Sequence, residues 1–216
     1  PSTALRADEE LIEEGARVII GHMTSGITLT AKVQADALEV PLISPTASTE
    51  ELSGLDDYFL RVVPPNTAET APLVDYMKAY TDINSISAAA DMSNRAYTLP
   101  WTEEFLDRFT ARGGHSFGTL LFNSSSARPD YADLARQLLA PGPDAILITA
   151  DAPDTAFLAQ QIRKFDAETA IIPCGWAMTE ELIRNGGEAV EGMFFATPFS
   201  LQSENPEYTA FRESFV

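Results

Sequence analysis

The sequence predicts an α/β protein in which helices flank sheets of parallel strands. Three observations lead to this prediction. Helical and strand patterns alternate along the chain, the strands are short apolar runs without polar alternation, and no repeat of about 20–50 residues interrupts them. Strands that are buried on both faces of a parallel sheet have this composition, and helices form the connections between them.

The first elements form a helix and a βαβ unit. A helix capped by Ser2 or Thr3 is predicted up to about residue 15, and a short strand follows at 18–21. Thr24 or Ser25 then caps a second helix, which reaches residue 38 and leads into a strand at 41–44. Because such crossovers are almost always right-handed, the loops after both strands open at the same sheet edge. Ser25 and the loop 46–48 are therefore expected to be neighbours.

A third strand at 58–63 ends in Pro64-Pro65, and because proline cannot continue a sheet ladder, the chain leaves the sheet there. We place a lobe boundary at this point, with lobe 1 at 1–64 and lobe 2 at 65–197. The remaining predicted helices are 66–80, 101–111, 131–139, 154–165 and 179–185, and the remaining strands are 85–90, 116–122, 144–149, 170–173 and 190–197.

Composition excludes several classes of function. The 216 residues include 45% apolar and 21% charged residues, as in globular proteins, but the net charge is −18 and basic residues are scattered, which argues against nucleic-acid binding. The single cysteine, Cys174, allows no intramolecular disulfide and no cysteine cluster for a metal. No apolar run is long enough to span a bilayer. The sequence starts at Pro1 inside an apparent helix cap, so any signal peptide or lipid-anchor cysteine would lie upstream of it.

Ligands of open parallel sheets bind beyond the carboxyl ends of the strands, so the loops there supply the candidate residues. In lobe 1, the loop 21–26 contains Ser25, and Thr46 and Ser48 lie in the next loop. Hydroxyls and helix N–H groups suit a carboxylate or a phosphate, although Ser25 and Ser48 could equally be ordinary caps. The chain has neither the GxxxxGK[ST] pattern of nucleoside triphosphate sites nor a GxGxxG pattern after a strand, as in dinucleotide sites. No cofactor is therefore expected.

In lobe 2, the corresponding loops contain Asp91–Asn94, Asp151 and Trp176, and Tyr97 lies near the start of the next helix. Asp151 could hold an ammonium group or cap the helix that follows it. Trp176 could close over a ligand or fill a helix–sheet interface.

Hydrolytic catalysis is disfavoured by the inventory of side chains. The two histidines are His22, three residues from Ser25, and His115, in a loop predicted at the opposite end of its sheet. No GxSxG motif is present, and an acyl-transfer site would also need an oriented acid and an oxyanion hole. We therefore expect a protein that is not an enzyme.

Several segments, in this order, resemble the leucine/isoleucine/valine-binding proteins, the solute receptors of ABC importers with the type I periplasmic binding fold. The segments are VIIGHMTS (18–25), VPLISPTAS (40–48), FLRVVPP (59–65), PDAIL (143–147) and GGEAVEG (186–192). The likeness covers essentially the whole chain. It implies two Rossmann-like lobes joined by a hinge, with Pro64-Pro65 as the first crossing and a second near 197–199 that returns 198–216 to lobe 1. Relative to the family, the chain looks truncated at both ends.

The resemblance also implies a site between the lobes. Ser25 and the loop Thr46, Ala47 and Ser48 resemble the family positions that bind a ligand's α-carboxylate through hydroxyl and main-chain donors. Tyr97 resembles the aromatic residue that covers the ligand, and Asp151 and Trp176 fall near two further pocket positions. Where amino-acid-binding members often carry a glutamate, this chain has Gly175-Trp176, which leaves room for aromatic or other small carboxylates.

The leading hypothesis is a periplasmic or extracellular receptor, either free or a cell-surface lipoprotein, that delivers its small-molecule ligand to an ABC permease. It would contact the membrane only through that permease or a lipid anchor. A second hypothesis is a ligand-sensing domain of a receptor or transcription regulator with the same fold. A helix-turn-helix upstream of Pro1 would favour the regulator, whereas a signal peptide would favour the transporter.

Overall fold

A computed structural model of the chain describes residues 2–125, 128–197, 200 and 202–215, and it confirms the alternation of helices and parallel strands. The α-helices are α1 (Ser2–Glu13), α2 (Ser25–Leu38), α3 (Thr67–Tyr80), α4 (Arg95–Ala111), α5 (Tyr131–Leu139), α6 (Ala152–Phe165), α7 (Glu180–Gly186) and α8 (Pro206–Phe215). The strands are β1 (Ile19–Ile20), β2 (Leu42–Ser44), β3 (Phe59–Arg61), β4 (Ser85–Asp91), β5 (His115–Phe122), β6 (Ala145–Thr149) and β7 (Ala170–Pro173).

The first sheet has the order β1-β2-β3, with all strands parallel, and Leu42 of β2 is in register with both Ile19 and Phe59. These three side chains form a core with the small residues of α2. The opposite face of the sheet is uncovered within the described residues, because Ile20 and Leu60 are 78% and 59% exposed.

The second sheet has the order β5-β4-β6-β7 and is also parallel. Helices α3 and α4 pack against one face through residues such as Met77 and Phe105, and α5 and α6 pack against the other through residues such as Leu138 and Leu158. The chain runs from β4 outward to β5 and then returns to β6 on the other side of β4, so the sheet has a switch point between β4 and β6. A crevice is expected at the carboxyl ends of the strands there.

Helix α4 begins at Arg95, six residues before the predicted start near Trp101. The predicted start was wrong, and Pro100 lies inside the helix. A proline removes one helical hydrogen bond, and the buried residues Trp101, Phe105 and Phe109, spaced by four, keep this helix on the sheet. The hydroxyl of Thr98 donates to the main-chain oxygen of Asp91 at 2.6 Å and anchors the extra turn.

The strand predicted at 190–197 is not formed. A 3-10 helix (Gly187–Val190) and a turn come first, and residues 193–197 have no regular secondary structure. Its apolar residues alternate between two clusters, with Phe194 packed beside α3 and α4 and Met193 beside α5 and α6. Side-chain burial therefore accounts for the two-residue period, without strand pairing. The predicted crossing near 197–199 falls largely outside the described residues, as do Leu201 and Val216 of the returning segment.

Candidate functional site

A cavity of about 330 Å³ lies where the carboxyl-end loops of the two sheets face each other. Five of the seven predicted site residues line it, namely Ser25, Thr46, Ser48, Tyr97 and Trp176. Apolar groups from Met23, Val63, Met178 and Ala196 supply much of the remaining wall. A small, largely apolar cavity with a few convergent polar groups is typical of a small-molecule site.

The lobe 1 wall is built from two loops joined by the Ser44 hydroxyl at the end of β2. This hydroxyl donates to the main-chain oxygen of His22 at 2.8 Å and accepts from the main-chain N–H of Ala47 at 3.0 Å. The Thr46 hydroxyl donates to the main-chain oxygen of Met23 at 2.6 Å. The loops that follow β1 and β2 are thus neighbours, as the handedness argument predicted.

Two serine hydroxyls of this wall form no hydrogen bond within the part of the chain that the structure describes. Ser25, the first residue of α2, is 2% exposed, and Ser48 is 8% exposed. Thr24, rather than Ser25, caps α2, because its hydroxyl accepts from the main-chain N–H of Ile27. Both serines line the cavity, so their hydroxyls are available to a molecule that enters it.

The lobe 2 wall presents an aromatic pair. The rings of Tyr97 and Trp176 meet edge to face, with their centroids 6.0 Å apart. Cys174 lies fully buried beside them. Burial raises the pKa of the Tyr97 hydroxyl well above its ordinary value and raises the pKa of the Cys174 thiol to about 11, so both groups are neutral at physiological pH.

Glu69, in the first turn of α3, also lines the cavity, and the sequence analysis did not single it out. The indole N–H of Trp101 donates to its Oε2 at 3.0 Å. Burial raises the pKa of Glu69, although hydrogen bonds from Trp101 and from the main-chain N–H of Gly175 act in the opposite direction. Within the described residues Glu69 forms no ion pair.

The other two predicted residues lie outside the cavity lining. The side chain of Ala47 is fully buried in the lobe 1 core, and its main-chain N–H is occupied by Ser44. The carboxylate of Asp151 caps α6 by accepting from the main-chain N–H of Asp154 at 2.9 Å. The structure therefore places Asp151 in the capping role that the sequence analysis left open.

The lobes also touch beside the cavity. The main-chain N–H of Gly26, in the first turn of α2, donates to Oδ1 of Asn94 at 3.4 Å. Asn94 lines the cavity on one side, and on the other side of this contact an open groove of about 800 Å³ runs between α2 and α4. The groove is more exposed than the cavity, and only the cavity has the unpaired hydroxyls of Ser25 and Ser48 in its wall.

His22 pairs with an acid of α1 instead of a serine of the cavity. Its Nε2 lies 2.8 Å from Oδ2 of Asp8. Among the residues that the structure describes, no cluster of three or more histidine, cysteine or acidic side chains could hold a metal ion. No helix within these same residues has the length and apolar character needed to cross a membrane.

Comparison with known proteins agrees with this geometry. The model of a family described as periplasmic binding protein matches residues 1–216. No curated protein matches the chain.

Several solved structures are similar to the chain. A leucine-binding protein from Thermotoga maritima is 25% identical with a TM-score of 0.88, over 99% of this chain and 61% of that protein. An ABC transporter solute-binding protein from Rhodopseudomonas palustris, solved with 3,4-dihydroxybenzoic acid, is 22% identical with a TM-score of 0.82, over 100% of this chain and 59% of that protein. A branched-chain amino acid binding protein from Streptococcus pneumoniae, solved with isoleucine, is 18% identical with a TM-score of 0.78, over 95% of this chain and 58% of that protein. The chain thus spans about three fifths of their length.

Proposed function

Since this chain belongs to the periplasmic binding protein family, we propose that it is the ligand-binding part of an extracytoplasmic solute receptor that serves an ABC importer. The ligand is a small molecule with a carboxylate, held between the lobes. The permease of the importer is the proposed partner, and the receptor binds its ligand without transforming it.

One observation carries this proposal. Ser25, at the N-terminal end of α2, and Ser48 both lie in the cavity wall, and their hydroxyls form no hydrogen bond within the described part of the chain. A carboxylate accepts hydrogen bonds from such donors and is favoured by the helix dipole there. The ligands of two similar structures, isoleucine and 3,4-dihydroxybenzoic acid, both contain a carboxyl group.

The lobe assignment belongs to the same proposal. We propose that residues 1–64 and 198–216 belong to lobe 1 and residues 65–197 to lobe 2, with the chain crossing between them at Pro64-Pro65. The described strands support it, because residues 19–61 supply one sheet and residues 85–173 the other.

A thermal-shift screen of the full-length gene product against amino acids and aromatic acids tests the function. A ligand at 100 times its Kd stabilises a protein by about 2.7 kcal/mol, which corresponds to about 5–10 °C for a domain of this size. If no small carboxylate raises the melting temperature, the proposed function is wrong.

Removal of one hydroxyl tests the proposed carboxylate site. We expect Ser25→Ala to weaken the best ligand about 10- to 100-fold, because a charge-assisted hydrogen bond is lost. Thr30→Ala is the matched control, since the exposed Thr30 hydroxyl bonds only the main chain of α2. Calorimetric titration of both variants gives the affinities, and equal losses in the two would exclude Ser25 from the site.

A further inference from the structure

Among the described residues, the lining of the cavity includes an acidic side chain and no basic one. That acidic side chain is Glu69, which reaches the cavity from α3. A carboxylate can accept about four hydrogen bonds. Within the described residues, its donors are the Trp101 indole and the Gly175 main-chain N–H, which leaves acceptor capacity facing the cavity.

The backbone of lobe 2 is shaped around this carboxylate. A Cβ atom added to Gly175 would lie 2.9 Å and 3.0 Å from the two oxygens of Glu69. Glycine at the end of β7 therefore leaves room for the acidic group beside Trp176, at the same strand end that forms the lobe 2 wall. The Glu69 carboxylate is thus held in this wall between Trp101 on one side and Gly175 on the other.

The surroundings of Glu69 favour a cation. A buried carboxylate without a counter-ion is costly, and burial accordingly raises the pKa of Glu69. The aromatic rings of Tyr97 and Trp176 line the same cavity, and aromatic faces attract ammonium groups. A ligand with only a carboxylate would bring a second negative charge into a cavity that has no positive side chain in its lining.

We infer that Glu69 binds the ammonium group of the ligand, so that the receptor takes a zwitterionic amino acid in preference to a carboxylic acid that lacks a cationic group. The inference rests on the proposed function and specifies its ligand class. The carboxylate faces Ser25 and Ser48, the ammonium group faces Glu69, and the apolar side chain contacts residues such as Met178. With a volume of about 330 Å³, the cavity suits a single small amino acid.

Two matched pairs of probes test this inference on the full-length gene product. Each pair consists of an amino acid and the acid that lacks its amino group: L-leucine with 4-methylpentanoate, and L-phenylalanine with 3-phenylpropanoate. We expect the amino acid of at least one pair to bind about 100-fold more tightly than its partner, because loss of one member of a buried charge pair is costly. Titration calorimetry measures both affinities.

Substitutions then test whether Glu69 is responsible. Glu69→Gln keeps the shape of the side chain and should reduce the preference within the pair to less than about tenfold. Glu181→Gln, which removes one negative charge from an exposed residue of α7, should leave the preference unchanged. Gly175→Ala is a second variant, since its methyl group would displace the Glu69 carboxylate, and it should reduce the preference in the same direction.

The outcomes separate the inference from the function. Binding of the acids alone, or the absence of a preference for the amino acid in both pairs, would overturn the inference and leave the carboxylate receptor intact. A preference that survives in correctly folded Glu69→Gln and Gly175→Ala proteins would also overturn the role of Glu69. If neither pair nor any compound of the wider carboxylate screen binds, the proposed function itself fails.

Discussion

Glu69 illustrates at the scale of one residue how a binding site can cost stability. Its carboxyl has a raised pKa in the folded protein because burial disfavours the charged form. The folded state therefore binds the proton more tightly than the unfolded state, whose carboxyl keeps its ordinary pKa of 4.5. Stability that depends on this proton is present at low pH and is lost as the pH rises through the folded-state pKa.

We therefore expect Glu69→Gln to raise the melting temperature of the ligand-free protein at pH 7. The rise should be about 2–4 °C for each 1 kcal/mol by which the substitution lowers the free-energy cost of burying the charged carboxylate. The difference should shrink as the pH falls below 4.5. The groups that face Glu69 do not titrate in this range, because the pKa values of Tyr97 and Cys174 are both raised. Calorimetric melting curves of both proteins across pH provide the measurement, and a lower melting temperature for the variant at pH 7 would contradict it.

Sequence patterns located the lobe 1 residues of the cavity more successfully than those of lobe 2. Ser25, Thr46 and Ser48 follow directly after short apolar strands, so topology alone places them at one sheet edge. An acidic residue in the first turn of a helix is common, so Glu69 has no distinctive sequence pattern that marks it as a site residue. Its position depends on the packing of α3 against Trp101 and Gly175, and such contacts have no local signature.

At the scale of elements, the contact between α2 and the loop that precedes α4 connects the two lobes beside the ligand cavity. The Gly26 N–H to Asn94 hydrogen bond forms when the lobes are close together. A bond between neutral partners contributes about 0.5–1.5 kcal/mol. Loss of this bond is therefore expected to favour release of the ligand.

We expect Asn94→Ala to raise the ligand dissociation rate about 2- to 10-fold. Stopped-flow displacement with excess competing ligand measures this rate. Asn123→Ala is the control, because the Asn123 side chain bonds only its neighbour Ser125 in a loop of lobe 2. An unchanged rate in the Asn94 variant would show that this contact does not hold the lobes together.

Elements were predicted well where burial and hydrogen bonding agree, and poorly where they conflict. The strands β4, β6 and β7 are mostly apolar, and each is hydrogen-bonded to a parallel neighbour, so their pattern sufficed. In α4, core packing of Trp101, Phe105 and Phe109 outweighs the hydrogen bond that Pro100 removes from the helix. In 190–197, alternating burial occurs without a neighbouring strand.

At the scale of the whole molecule, charge is strongly unbalanced. The 32 acidic residues outnumber the 14 basic residues, and several of the described ion pairs are surface pairs that contribute little. Repulsion among the acidic groups destabilises the compact state and is screened by salt. The alternation of helices and strands was readable from sequence, but the distribution of these charges over the surface was not, because it depends on how both lobes fold.

We expect the melting temperature at pH 7 to rise by a few degrees when NaCl is increased from about 20 to 300 mM, because the Debye length falls below the spacing of many acidic groups. KCl at the same ionic strength should have the same effect, which distinguishes screening from binding of a particular ion. A melting temperature that stays constant or falls would contradict this prediction.

The cavity also has an optical consequence. The chain has only two tryptophans, and both lie at this site, Trp176 in its wall and Trp101 bonded to Glu69. Indole fluorescence of these 216 residues therefore originates at the binding site, and ligand entry or lobe movement should change its intensity or emission maximum. The molecule has a built-in reporter that needs no label, and Trp176→Phe would separate the ring that meets the ligand from the one behind Glu69.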